Sequence, residues 1–227
     1  MQKRIKKIDK ENNFYYLFAA LVGMLFITSL ESQINSSVGH YTFTAILILV
    51  FYVSLYSVHQ GDSWKKVFAF MVVLIILLTI SKKHLDSTIS EMVNYIIYLG
   101  FFVHGFIATM KLLLRSDKVT SNMIVGSIAA YLQLGLIWSF IYLILLTINP
   151  HSFSGIEFIH WAHSFPEIAY FSFITLTTLG YGDILPATNM ARFFTYTEVI
   201  VGVFYMAIIV STIVSARMNE YQKENDT

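Results

Sequence analysis

The sequence predicts an all-α membrane protein: six transmembrane helices, with a short re-entrant helix and a glycine-bearing loop between helices five and six. Three observations carry that prediction. Of 227 residues, 56% are hydrophobic and only 13% charged, and the mean hydropathy is +0.63, a balance outside the range of soluble domains. A transmembrane helix needs about 20 mostly apolar residues to cross a hydrocarbon core of roughly 30 Å, and the stretches 14–30, 41–58, 64–80, 92–114, 123–148 and 190–216 qualify. A further apolar piece, 166–179, is too short to cross and runs into the polar stretch TLTTLGYGDILP.

Taken in order, these elements also set an orientation. The basic start, MQKRIKKIDKENN over 1–13, reads as a retained tail, because the apolar run behind it is too long for a signal-peptide core and no small-residue cleavage site follows. Six spans bring both ends to one side. Of the fifteen Lys and Arg, twelve fall in the amino tail, the loops 59–66 and 111–122, and the carboxyl tail; Lys82, Lys83 and Arg192 are left for the other side. The positive-inside rule makes the tail-bearing side cytoplasmic; a multi-pass protein of the plasma (inner) membrane is expected from compactness alone. The piece 166–179 then enters from outside and returns there. Tyr15, Tyr16, Tyr41, Trp64 and Tyr95 fall near span ends, where aromatic rings settle at headgroup level. A net charge of +1 argues against a nucleic-acid or acidic partner, and the lack of cysteine excludes disulfides, thiolate metal sites and cysteine nucleophiles. No catalytic constellation is present, so neither an enzyme nor an organic cofactor is expected.

Irregular backbone at membrane depth must be enclosed by protein or line water, which singles out residues 178–186. Just upstream, Ser164-Phe165-Pro166-Glu167 has the form of a capping box, with Ser164 as N-cap, Glu167 at N3 and a proline in the first turn. It predicts a helix of roughly three to four turns ending near Thr177. The C-terminal end of that helix carries about half a negative elementary charge, which favours a cation in mid-membrane. Gly180 and Gly182 can adopt φ > 0 without a Cβ penalty, the conformation that alternate residues need if successive carbonyls are to face one axis.

Thr177-Thr178-Leu179-Gly180-Tyr181-Gly182-Asp183, with a half-helix before it and a long apolar helix after it, resembles the potassium-channel signature. The resemblance implies a pore domain over 116–217, made of outer helix, pore helix, selectivity filter and inner helix. It also implies a homotetramer, in which the carbonyls of Thr178, Leu179, Gly180, Tyr181 and Gly182, with the Thr178 hydroxyl, replace the hydration shell of potassium ions. Thr177, Asp183 and Tyr170 become supports of the filter, and Tyr181 is expected to turn from the axis and wedge against the pore helix. The chain departs from the pattern in places. Leu179 stands where valine is commoner, and Ile174 stands where some bacterial members have glutamate, so Asp183 finds no carboxyl partner there. Tyr170 and Phe171 occupy the positions of a bracing aromatic pair, of which only Tyr170 offers a hydroxyl.

Beyond the motif, Gly202 lies nineteen residues after Asp183, where relatives often have a hinge glycine. A mid-helix glycine weakens a helix by roughly 1 kcal/mol, and either a gating hinge or a close helix contact accounts for it. Glu198 is an intramembrane carboxyl and so a functional candidate; its expected role is to brace the pore helix or filter from behind, and it is a candidate proton sensor. Gln133, inside the fifth span, reads as interhelical glue, and His151, His160 and His163 as surface or packing residues. Arg192 is placed to pair with Asp183 or Glu167, or to face headgroups.

The four helices over 14–115 resemble a voltage sensor in number only. Each charge crossing the field gains about 2.3 kcal/mol per 100 mV, so a sensor needs several. The stretch 92–114 offers only Lys111 and His104, with Arg115 at its edge, and span two has no acidic residue to pair with moving charges. The expectation is a potassium-selective subunit conducting passively among membrane lipids, not strongly voltage-gated; a non-selective cation channel and a silent regulatory subunit are the alternatives. The tail over 218–227 encodes no ligand-binding domain, which leaves tension, pH, lipid or a partner subunit as the gating stimulus.

Overall fold

A computed structural model of the chain describes residues 13–34, 39–57, 87–115, 120–156 and 161–212, with the isolated positions 70, 72, 73, 75 and 218. The main elements are α1 (Asn13–Ile34), α2 (Gly39–Ser57), α3 (Ser87–Arg115), α4 (Ser121–Ile148), α5 (Trp161–Leu176) and α6 (Asn189–Tyr205), which runs on through a π turn, Met206–Val210. Two short strands, β1 (Phe153–Ser154) and β2 (Leu185–Pro186), pair antiparallel. Among the described residues, Asn13–Glu31, Thr88–Leu114, Ser121–Ile148 and Asn189–Ile209 are long and apolar enough to cross a membrane, and α2 adds a shorter apolar segment, Phe43–Ser54. The expected third span, 64–80, and both tails lie outside the described residues, isolated positions apart. The chain is a mostly helical membrane protein.

Helix α4 is the spine, and small residues let its neighbours close on it. A Cβ on Gly126 would lie 2.7 Å from the Phe14 ring of α1, and the Phe173 ring of α5 covers Gly135 in the same way. Aromatic side chains fill the rest of the front half. Phe51 of α2 stacks on Phe101 of α3 with ring centroids 3.5 Å apart, while Tyr98 and Phe102 of α3 reach Phe140 of α4 at 5.5 and 5.6 Å. Such pairs contribute about 0.5–1.5 kcal/mol each beyond the area they bury. At the start of α1, the Phe14 N–H donates to Asn122 Oδ1 at 3.1 Å and the Ser57 hydroxyl to the Asn13 carbonyl at 2.8 Å. Helices α1 and α3 thus lie against α4 of their own chain.

Helix α5 starts a turn earlier than its capping-box sequence predicts. It begins at Trp161, so Pro166 is inside it, and the buried Ser164 hydroxyl has no hydrogen-bond partner. Packing overrides the local cap here. Phe165, fully buried, is held between Phe43 of α2 at 4.8 Å and Phe140 of α4 at 5.6 Å, which fixes where the helix enters.

Candidate functional site: the glycine loop after the half-helix

The loop is anchored at its inner end by the last turn of α5. Thr177 N–H donates to the Phe173 carbonyl at 3.1 Å and Thr178 N–H to Thr175 at 2.9 Å; both Leu179 and Gly180 donate to Ile174, at 2.8 and 3.1 Å. The Thr177 hydroxyl also returns to Phe173, at 2.7 Å. From there the backbone alternates. Thr178, Gly180 and Gly182 have φ of 61°, 51° and 83°, and the residues between them do not take positive φ. Glycine makes that conformation free of steric cost at two of the three positions; Thr178, whose Cβ disfavours it, is held there by the hydrogen bonds on either side. The positive φ at Thr178 is not visible in the sequence, which names only the glycines.

Two sets of contacts hold the loop against the helices. At the outer end the Tyr170 hydroxyl donates to Asp183 Oδ2 at 2.7 Å. That bond comes first among the influences that push the phenol up to about 12, so it stays a donor at neutral pH. Tyr170 thereby supplies the partner that Ile174, buried and apolar, cannot. Behind α5, Glu198 of α6 is 0% exposed and bridges three helices: it accepts from Ser172 of α5 at 2.6 Å and from Tyr142 of α4. Ser172 also contacts the Gly135 carbonyl of α4, at 2.8 Å. Tyr142 and Ser172 are functional candidates that sequence reading misses. A hydroxyl inside an apolar helix has no pattern of its own, and only the unusual carboxyl at 198 marks the place.

The inner end is pinned at the Leu176 carbonyl. Tyr131 of α4 donates to it at 3.1 Å, and Gly202 of α6 lies so close that a Cβ there would collide with it. Three residues further on, Tyr205 donates to the Ser127 carbonyl at 2.6 Å. Gly202 is therefore a close-contact glycine in this conformation. An open cavity of about 300 Å³ lies beside the loop, with Phe171, Ile174, Thr195 and Val199 among its lining. Tyr181 is not wedged against α5 within the single chain; it is 68% exposed, and Leu179 is 55% exposed.

Other expected residues fall elsewhere. Arg192 donates through Nε to the Pro186 carbonyl at 3.2 Å, so it caps backbone at the loop's outer rim. Gln133 does sit at a helix interface, opposite Gly105 of α3, yet neither end of its amide has a hydrogen-bond partner. Lys111 is exposed on α3. No group of His, Asp and Glu suited to a metal occurs among the described residues.

A half-helix, a loop of alternating backbone hand and a long following helix stand in sequence here. Residues 129–219 match the ion channel family. A segment of 53 residues is 42% identical to two pore potassium channel c of Oryza sativa subsp. japonica, covering 23% of this chain and 12% of that one. Over 86 residues the chain is 35% identical to two-pore potassium channel 5 of Arabidopsis thaliana, covering 37% and 18%. Over 115 residues it is 30% identical to the voltage-gated potassium channel Kch of Escherichia coli strain K12, covering 51% and 26%. The chain thus spans between 12% and 26% of the length of these curated relatives. No solved structure matches. Over residues 129–219 the chain is thus similar to the ion channel family, and the relatives it matches are potassium channels.

Proposed function

We propose that the chain is a potassium-selective channel subunit that assembles as a homotetramer and conducts passively across the plasma (inner) membrane, with six spans, a re-entrant α5 and both termini cytoplasmic. The observation that carries this reading is the alternation of positive φ at Thr178, Gly180 and Gly182 within TTLGYGD. A run of carbonyls aimed at one axis needs that alternation, and four such runs replace the water around a dehydrated potassium ion. Thr178, Leu179, Gly180, Tyr181 and Gly182 supply the ion-binding oxygens; Thr177, Asp183, Tyr170 and Glu198 hold them, and Gly202 is where α6 bends on gating. The permeating ion is substrate, and no organic cofactor is required.

Fourfold assembly is supported by what one chain leaves uncovered. Tyr181, Leu179 and the α6 face carrying Phe193, Tyr196, Ile200, Val203 and Phe204 are all exposed, and an irregular loop at membrane depth has to be enclosed by protein or line water. Weak voltage dependence is supported by the front half, where α1 and α2 carry no Lys or Arg among their described residues and α3 carries Lys111 and Arg115 only.

Potassium against sodium flux into liposomes holding the purified protein tests this, with barium as blocker and Gly180→Ala as control. The expected result is potassium flux that barium blocks and Gly180→Ala abolishes. Equal sodium and potassium flux would make the chain a non-selective cation channel. A stable tetramer without flux would favour a regulatory subunit.

A further inference from the structure

The glycine loop is tied down on a side that neither its motif nor its helices account for. Ahead of α5, the Asn149 side chain caps a single 3₁₀ turn, Pro150–Ser152, by accepting from His151 N–H at 3.0 Å. That turn delivers β1 to the outer rim, where Phe153 pairs with Pro186 and Ser154 with Leu185. The Ala187 and Thr188 N–H groups donate to the Ser152 carbonyl at 2.8 and 3.4 Å, and the Ser154 hydroxyl reaches the Leu185 carbonyl at 3.4 Å. Phe153 is buried and meets both Tyr142 and Phe171 edge-on, at 5.3 and 5.2 Å. It anchors the strand to the same two helices that hold Glu198.

The next residue makes the closest approach. Gly155 has φ +87°, and a Cβ on it would overlap the carbonyl oxygen of Asp183, the last residue of the TTLGYGD run. From Tyr181 to Asp183 no backbone N–H is hydrogen-bonded within the chain, among the described residues. The shape of that stretch is consequently set by its two ends. Ile174 holds the inner one; Tyr170 and the β1 segment hold the outer one.

We propose that Ser152–Gly155 is a positioning element for the filter's outer end, and that Gly155 is the residue whose missing side chain sets how close the rim stands. The inference rests on the potassium-conduction reading. A methyl at 155 pushes the Asp183 carbonyl off its seat, and with it the Tyr181 and Gly182 carbonyls, which have no internal bonds to resist. Bound potassium favours the seated geometry by linkage, because an ion that binds one conformation stabilises it in proportion to its concentration. Loss of the outer tie therefore makes conduction depend on external potassium.

Currents from wild type and Gly155→Ala in planar bilayers, at low and high external potassium, test the inference. The expected result is a several-fold faster current decay in Gly155→Ala at low potassium, restored toward wild type at high potassium, with unitary conductance unchanged. A merely structural loss lowers the number of channels and leaves the decay and its potassium dependence alone. Gly155→Asn is the second variant: asparagine tolerates positive φ better than alanine but carries the same colliding Cβ, so it folds more readily and shows the same decay. Wild type that conducts while both variants decay like it at both concentrations overturns the inference alone. Wild type that passes no potassium overturns the conduction reading and the inference with it.

Discussion

Glu198 puts a carboxyl where solvent does not reach, and the contacts it makes are hydroxyls from two other helices, Tyr142 and Ser172. Removing it takes the acceptor from Tyr142, while Ser172 keeps the Gly135 carbonyl. Glu198→Ala is expected to destabilise the protein by about 1–3 kcal/mol for the Tyr142 hydroxyl left buried and unpaired, and thermal melting of the purified protein reads the loss; an unchanged midpoint would show that the bridge holds nothing. Gln133 is the opposite case. Its amide is 1% exposed and bonded to nothing, so Gln133→Leu, similar in volume and without polar atoms, is expected to raise the melting temperature. Tyr170 lies on the half-helix that does not span. Its hydroxyl is pushed from 10.0 up to about 12, first by the bond to Asp183. The neutral, bonded phenol is what folding favours, so its stabilisation is complete below pH 10 and is lost as pH rises toward 12. The melting difference between wild type and Tyr170→Phe is expected to be constant below pH 10 and to close above it. Glu198 and Tyr170 were legible in the sequence, one as a charge in an apolar run and one by its place before the motif. Their partners lie 56, 26 and 13 residues away in the chain, and no periodicity records such pairings.

Between elements, the tightest joint is α6 against the end of α5. Gly202 lets α6 press on the Leu176 carbonyl that Tyr131 also holds. Overpacking a joint of this kind costs about 1–3 kcal/mol. Gly202→Ala is expected to lower the melting temperature of the assembly as well as alter gating; a variant with altered gating and wild-type melting would assign Gly202 to bending alone. The long helices were readable because nearly unbroken apolar runs of about 20 residues leave a strong signal. The start of α5 and the β1–β2 pairing were not. Phe165 fixes the first through rings on α2 and α4, and a strand of two residues is too short for any alternation to show.

At the scale of the molecule, the front helices form an aromatic pack, and Lys111, exposed toward the end of α3, is the one Lys or Arg among their described side chains. Conductance is expected to vary little across roughly ±100 mV, since a steep response needs several charges crossing the field in each subunit; a steep sigmoidal conductance–voltage curve in bilayers would contradict this. One feature of α6 reaches further than bending. Met206–Val210 is a π turn, wider than the α-helix on either side of it. Such a turn stores a phase. If it closes to α pairing, everything after it rotates by about 100° around the helix axis, and Ser211 and Thr212 face a new neighbour while the axis stays straight. The chain has no cysteine of its own, so a Ser211→Cys variant would display that rotation as a change in labelling by a thiol reagent.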